Sequence, residues 1–228
     1  MAPKVRSLTG LVLAVIIAPA LLGVLACMPV PVGNPERSRI DPELTGVWLG
    51  FAEEGAVAMI LDPYDKRTWH ASWFTIEWDD ADDAAIGEHD SAEKILELVQ
   101  QQESTDRAVG TYKVWLTRLG GARFMTWEYQ GIFDEERGFE PEFWFVFRVD
   151  SPGPGQIHLK MVDSDSDFFD VYDEIETRRQ AERVIRRHAD DEELYGGEHA
   201  EIFRLYRARP EHYDDVESIL EGATYTHD

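Results

Sequence analysis

Seven short segments, rich in β-branched and aromatic residues and separated by turn sequences, most limit the folds open to this chain. They are GVWLGF (46–51), AVAMIL (56–61), RTWHASWFTIEW (67–78), GTYKVWLTRL (110–119), ARFMTWEYQ (122–130), EFWFVFRV (142–149) and QIHLKMV (156–162). Several alternate with the period of two that marks a strand with one buried face. Phe143, Phe145, Phe147 and Val149 fall on one side of the sixth, opposite Trp144, Val146 and Arg148. Ile157, Leu159 and Met161 alternate with His158 and Lys160 in the seventh. The intervening AEEG, LGGA, FDEERGFEP and DSPGPG carry turn chemistry. Short strands joined this way predict an antiparallel sandwich or barrel.

Two helices interrupt the strands. Asp90 followed by Glu93 has the spacing of a capping box, and SAEKILELVQQQ puts Ile95, Leu98, Val99 and Gln102 on one face, so a short helical insertion is expected over about 90–103. It lies in an acidic stretch, 79–106, expected to cover a rim of the sheet. A second helix is expected over about 170–188, with acids in its first turn and Arg183, Arg186 and Arg187 in its last. Val171, Ile175, Ala181, Ile185 and His188 would share its buried face. A final strand-like segment, AEIFRLYRA (200–208), follows.

This order of elements, with Gly46-Val47-Trp48 opening the first strand, resembles the lipocalin-like (calycin) barrels. The resemblance rests on those three residues and the element order. It implies an antiparallel barrel of about eight strands over 41–209, with a helix before the last strand. It also implies an arginine packed over Trp48, for which Arg204 and Arg207 are the candidates.

Cys27, the only cysteine, ends an apolar run from Leu8 to Leu25 that is preceded by Lys4 and Arg6. This is the layout of an export signal; an uncleaved spanning helix is the alternative, since the run is long enough to cross a bilayer. Val24-Leu25-Ala26-Cys27 resembles the lipobox of bacterial lipoproteins, apart from Leu25 where a small residue is usual. That resemblance implies removal of 1–26 and lipidation of Cys27. The protein would then be exported and held at a membrane by acyl chains, facing the periplasm or in the outer membrane. With no second cysteine the fold must be held by its core rather than by disulfides. The proline-rich 27–40 reads as a flexible tether, and 210–228 as an acidic tail.

Net charge is −23, and loss of 1–26 would remove two basic residues and no acid, leaving 20 basic against 45 acidic residues and a charge of −25. Such a surface repels nucleic acid and anionic headgroups, so nucleic-acid binding is not expected.

Catalytic signatures are missing: none of the seven histidines forms a metal-spaced pair, and no nucleophile elbow or phosphate loop occurs. Asp163, Asp165, Asp167 and Glu174 fall at positions 1, 3, 5 and 12 of a calcium loop, but Phe168 stands where its turn needs glycine. The same acids could simply cap the following helix. No cofactor is expected. Most of the seven tryptophans should be core. Trp69 and Trp73, which share a strand face, and Trp127 with Tyr129, which share another, are the candidates to line a ligand pocket. The expected role is non-enzymatic: binding a small apolar or amphipathic molecule or an envelope partner. The alternatives are an interaction lipoprotein with a solid barrel and a carboxylate-based hydrolase.

Overall fold

The computed structural model describes residues 28–52, 55–78, 91–101, 104–130, 144–171, 174–197, 200, 202–220 and 224–225. Cys27 and the apolar run before it, Asp90, Gln102 and Phe143 lie outside them. None of the described helices is long and apolar enough to cross a membrane.

Eight antiparallel strands close into a barrel: β1 (Gly46–Ala52), β2 (Gly55–Pro63), β3 (Thr68–Trp78), β4 (Ser104–Leu119), β5 (Ala122–Tyr129), β6 (Trp144–Asp150), β7 (Gln156–Met161) and β8 (Ile202–Arg207). Around the ring the order is β3-β2-β1-β8-β7-β6-β5-β4, and β3 pairs with β4 to close it. This is the lipocalin-like arrangement. A two-residue strand, β9 (Thr224–Tyr225), adds in parallel to β4 at Ala108 and Val109, below the point where β5 begins to pair. The tight β4–β5 turn places Gly120 and Gly121 at φ +59° and +91°, the primed geometry that matches strand twist and that glycine adopts without strain.

Alternation decides what lies inside. Trp48, Val57, Met59, Leu61, Trp69, Ala71, Val114, Met125, Trp127, Phe147, Val149, Ile157, Leu159 and Leu205 form one contiguous buried interior. The outer face of the wall is covered on two sides. Helix α1 (Ala92–Gln101) buries Ala92, Ile95, Leu96 and Val99 against Leu49, Ala56, Ala58 and Ile76. It is joined there by Val216 of α3 (Tyr213–Leu220), so part of the segment expected as an acidic tail is folded onto the barrel. Leu98, expected on the buried face of α1, is only partly buried, and Leu96 takes its place.

On the other side α2 (Arg178–His188) packs Ala181, Val184 and Ile185 over Phe124 and Val146. It starts later than the expected residue 170. Thr177 and Gln180 form a reciprocal capping box that fixes the first turn. Residues 163–171 instead form successive turns, and Val171, assigned to the buried face, is exposed.

The segment read as a tether differs most from expectation. Met28 exchanges backbone hydrogen bonds with Trp144 (2.8 and 3.2 Å), and both Met28 and Val32 are fully buried. The Val32 carbonyl accepts from Trp115 Nε1 (2.8 Å) and Thr126 Oγ1 (2.7 Å). Ser38 Oγ accepts from the Leu116 amide at 3.0 Å. Proline sets extended backbone here, as composition suggested, but the polar groups of the wall need these acceptors. The stretch is a strap running from the start of β6 to the start of β1.

Tyr195 closes the layer beneath α2, and its hydroxyl donates to the Ala189 carbonyl at 2.6 Å. Burial pushes its phenol from the ordinary 10 up to about 12. A folded-state value above the unfolded one means the neutral phenol stabilises fully below pH 10, and that contribution disappears as pH rises through 12. Denaturant titrations across this window should show an alkaline loss of stability that is smaller in Tyr195→Phe.

Candidate functional site

The two ends of the barrel interior differ. At the end where β1 begins, Trp48 is buried and donates from Nε1 to the Leu44 carbonyl at 2.9 Å. The Arg207 guanidinium lies 4.5 Å from the Trp48 ring centre, a cation–π contact. It also donates to the carbonyls of Thr45 (2.8 Å) and Glu43. Gly46 sits at φ +126°, a conformation open to glycine, and a Cβ there would fall 3.5 Å from Arg207 Nη1. Arg207 is therefore the arginine over Trp48. Arg204, the other candidate, is on the outer face of β8 in register with His158. Desolvation, then the charge of Arg204, holds the His158 imidazole below its ordinary value.

Trp69 belongs to this closed end. It is fully buried and donates from Nε1 to Thr45 Oγ1 at 3.1 Å, so it is core rather than pocket wall. The other three ligand candidates converge at the opposite end. Trp73 packs edge-on to Trp127 (5.7 Å between ring centres) and to Phe203 (4.9 Å). Tyr112 meets Trp127 at 5.2 Å and Tyr129 at 5.6 Å, and Phe145 and Phe147 complete the group. Edge-to-face contacts dominate, as the ring quadrupole favours. Gly110, opposite Trp73 across the β3–β4 ladder, leaves room for the Tyr112 ring; a Cβ there would fall 2.6 Å from the Tyr112 hydroxyl.

This upper tier is only partly buried at Trp73, Tyr112, Tyr129 and Phe145, whereas Trp127 is 2 % exposed. Trp127 Nε1 is a buried donor without a hydrogen-bond partner among the described residues. Buried indole N–H groups ordinarily find an acceptor, and leaving one unmade costs roughly 1–3 kcal/mol.

Asp163, Asp165, Asp167 and Glu174 do not assemble a cation site. Asp163 Oδ1 accepts from the Asp165 amide at 2.9 Å, and no group of three acidic or histidine residues converges as metal ligands among the described residues. Their visible role is turn formation ahead of α2. Phe168, where a calcium loop needs glycine, stacks on His188 at 3.8 Å.

No protein-family model, curated protein or solved structure matches the chain.

Proposed function

We propose that this chain is an exported lipoprotein, anchored through Cys27, that holds a small apolar or amphipathic molecule among the rings at the upper end of its barrel. The observation that carries the reading is the buried, unpartnered Nε1–H of Trp127 within a half-buried cluster of six other aromatic rings. A ligand with an apolar body and one acceptor would cover those rings and satisfy the donor. The role proposed for these rings is binding.

The strap supports a specific way of anchoring. Met28 is fixed beside Trp144 at the upper end, and Cys27 is the residue before it in the sequence. Acyl chains on Cys27 would leave the protein beside the aromatic tier and hold that end toward the bilayer, where amphipathic molecules concentrate. Cys27→Ser should lose acyl labelling and leave the membrane; unchanged retention would favour an uncleaved helix.

A second reading, an interaction lipoprotein with a solid barrel, is favoured by the filling of the lower interior around Trp48, Met59, Trp69 and Met125. Mass spectrometry of small molecules extracted from the purified chain separates the two. The ligand reading expects an amphipathic species near equal molar amount, and the solid-barrel reading expects none.

A further inference from the structure

Outside the barrel, at the end closed by Trp48, the strap, the last residues of β4 and one face of α2 enclose a cleft of about 830 Å³. Seven of its lining residues are arginine and only Asp41 and Glu182 are acidic, in a chain of net charge −23. Both carboxylates are already engaged. Asp41 holds Arg123 at 3.1 Å, and Arg123 also donates to Ser151 Oγ at 2.6 Å. Glu182 accepts from the Gly33 amide at 3.2 Å and lies 3.7 Å from Arg178, which donates to the Gly33 carbonyl. The guanidinium groups of Arg37, Arg39, Arg118, Arg179 and Arg186 enter no ion pair among the described residues.

Two arginines of the cleft also run against local electrostatics. Arg178 and Arg179 occupy the first turn of α2, where the positive end of the helix dipole favours acids, and no acid is present in that turn. A chain with 45 acidic residues has ample means to neutralise five exposed arginines, yet it gathers them on one concave surface. Guanidinium forks pair bidentately with phosphoryl and carboxylate oxygens, and a concave surface focuses their field. Five such forks offer more donors than a single carboxylate can use. An extended polyanion would meet the acidic surface beyond the cleft, so the ligand has to be compact.

We propose that this cleft binds a small, multiply charged phosphate compound of the pyrophosphate or phosphate-ester class. It faces away from the end at which Met28 is held, so a soluble phosphate reaches it more directly than a headgroup of the anchoring bilayer.

Calorimetric titration of the full chain in detergent with inorganic pyrophosphate tests the assignment. Binding should weaken at least about tenfold in Arg118→Gln/Arg179→Gln and be unchanged in Arg204→Gln, which removes an exposed arginine elsewhere. The ligand-free double variant should melt no lower than the parent chain, because the arginines repel one another in the empty cleft. No binding of pyrophosphate, equal weakening in all variants, or a lowered melting temperature of the double variant would overturn the proposal. Phosphatidylglycerol vesicles provide the second arm. Vesicle binding that competes with pyrophosphate and is lost in the double variant assigns the phosphate to a headgroup; pyrophosphate binding without vesicle binding assigns it to a soluble compound.

Discussion

Deleting residues 28–40 is expected to abolish cooperative folding of the barrel, although composition reads this stretch as a tether. The donors of the barrel wall that would lose their acceptors include Trp115 Nε1, Thr126 Oγ1 and the Leu116 amide. Each of these buried or part-buried donors left unmade costs roughly 1–3 kcal/mol, and loss of the buried Met28 and Val32 side chains adds about 1.5–3 kcal/mol each. The total, on the order of 6–15 kcal/mol, matches or exceeds the whole stability of an ordinary domain. Thermal and denaturant unfolding of the deletion variant should show no cooperative transition. A transition near that of the parent chain would mean that the strap contributes nothing.

Trp48→Ala carries the next largest effect. It removes a fully buried indole, its hydrogen bond to Leu44 and the face on which Arg207 rests. Truncations of this size cost about 3–5 kcal/mol. Arg207→Ala should cost less, about 2 kcal/mol, through its bonds to the Thr45 and Glu43 carbonyls and the lost cation–π contact. The two sites touch, so the double variant should lose less than the sum of the single ones. Arg204→Ala should stay within about 0.5 kcal/mol of the parent, since its side chain is exposed. Equal losses at Arg204 and Arg207 would contradict the assignment of the partner.

The barrel was legible because its strands obey one local rule. Phe145, Phe147 and Val149, or Ile157 and Leu159, declare their inward face by alternation alone, and all of them are in the interior. The turn glycines told equally plainly where strands reverse. The strap was not legible, because proline and glycine content reports backbone preference and says nothing of which distant donors need an acceptor. Trp115 is 83 residues from Val32 in sequence. The start of α2 was misplaced for a related reason. Acids at 163–174 look like a helix N-terminus, but Asp163 satisfies a turn amide instead and the cap falls to Thr177.

The candidate site divides the same way. Shared strand faces correctly grouped Trp127 with Tyr129, whereas depth along the barrel, which separates Trp69 from Trp73, depends on register with β4 and on Thr45. The arginine cleft was hidden by averaging. A net charge of −23 argued against anionic partners, and only folding brings Arg37, Arg118 and Arg179 to one surface. The clue available beforehand was RSR at 37–39 in an otherwise acidic chain.

Extraction of bound small molecules from the chain purified out of its own membrane, followed by mass spectrometry, tests the ligand reading most directly when it is paired with Trp73→Ala. Trp73 packs on Trp127 and Phe203 at the upper end, while the Trp48 indole and its bond to the Leu44 carbonyl at the closed end do not involve it. The parent chain should yield one amphipathic species in near equal molar amount, and the folded Trp73→Ala variant should yield at least about tenfold less. An empty parent chain, or the same yield from both proteins, would contradict a ligand held among these rings.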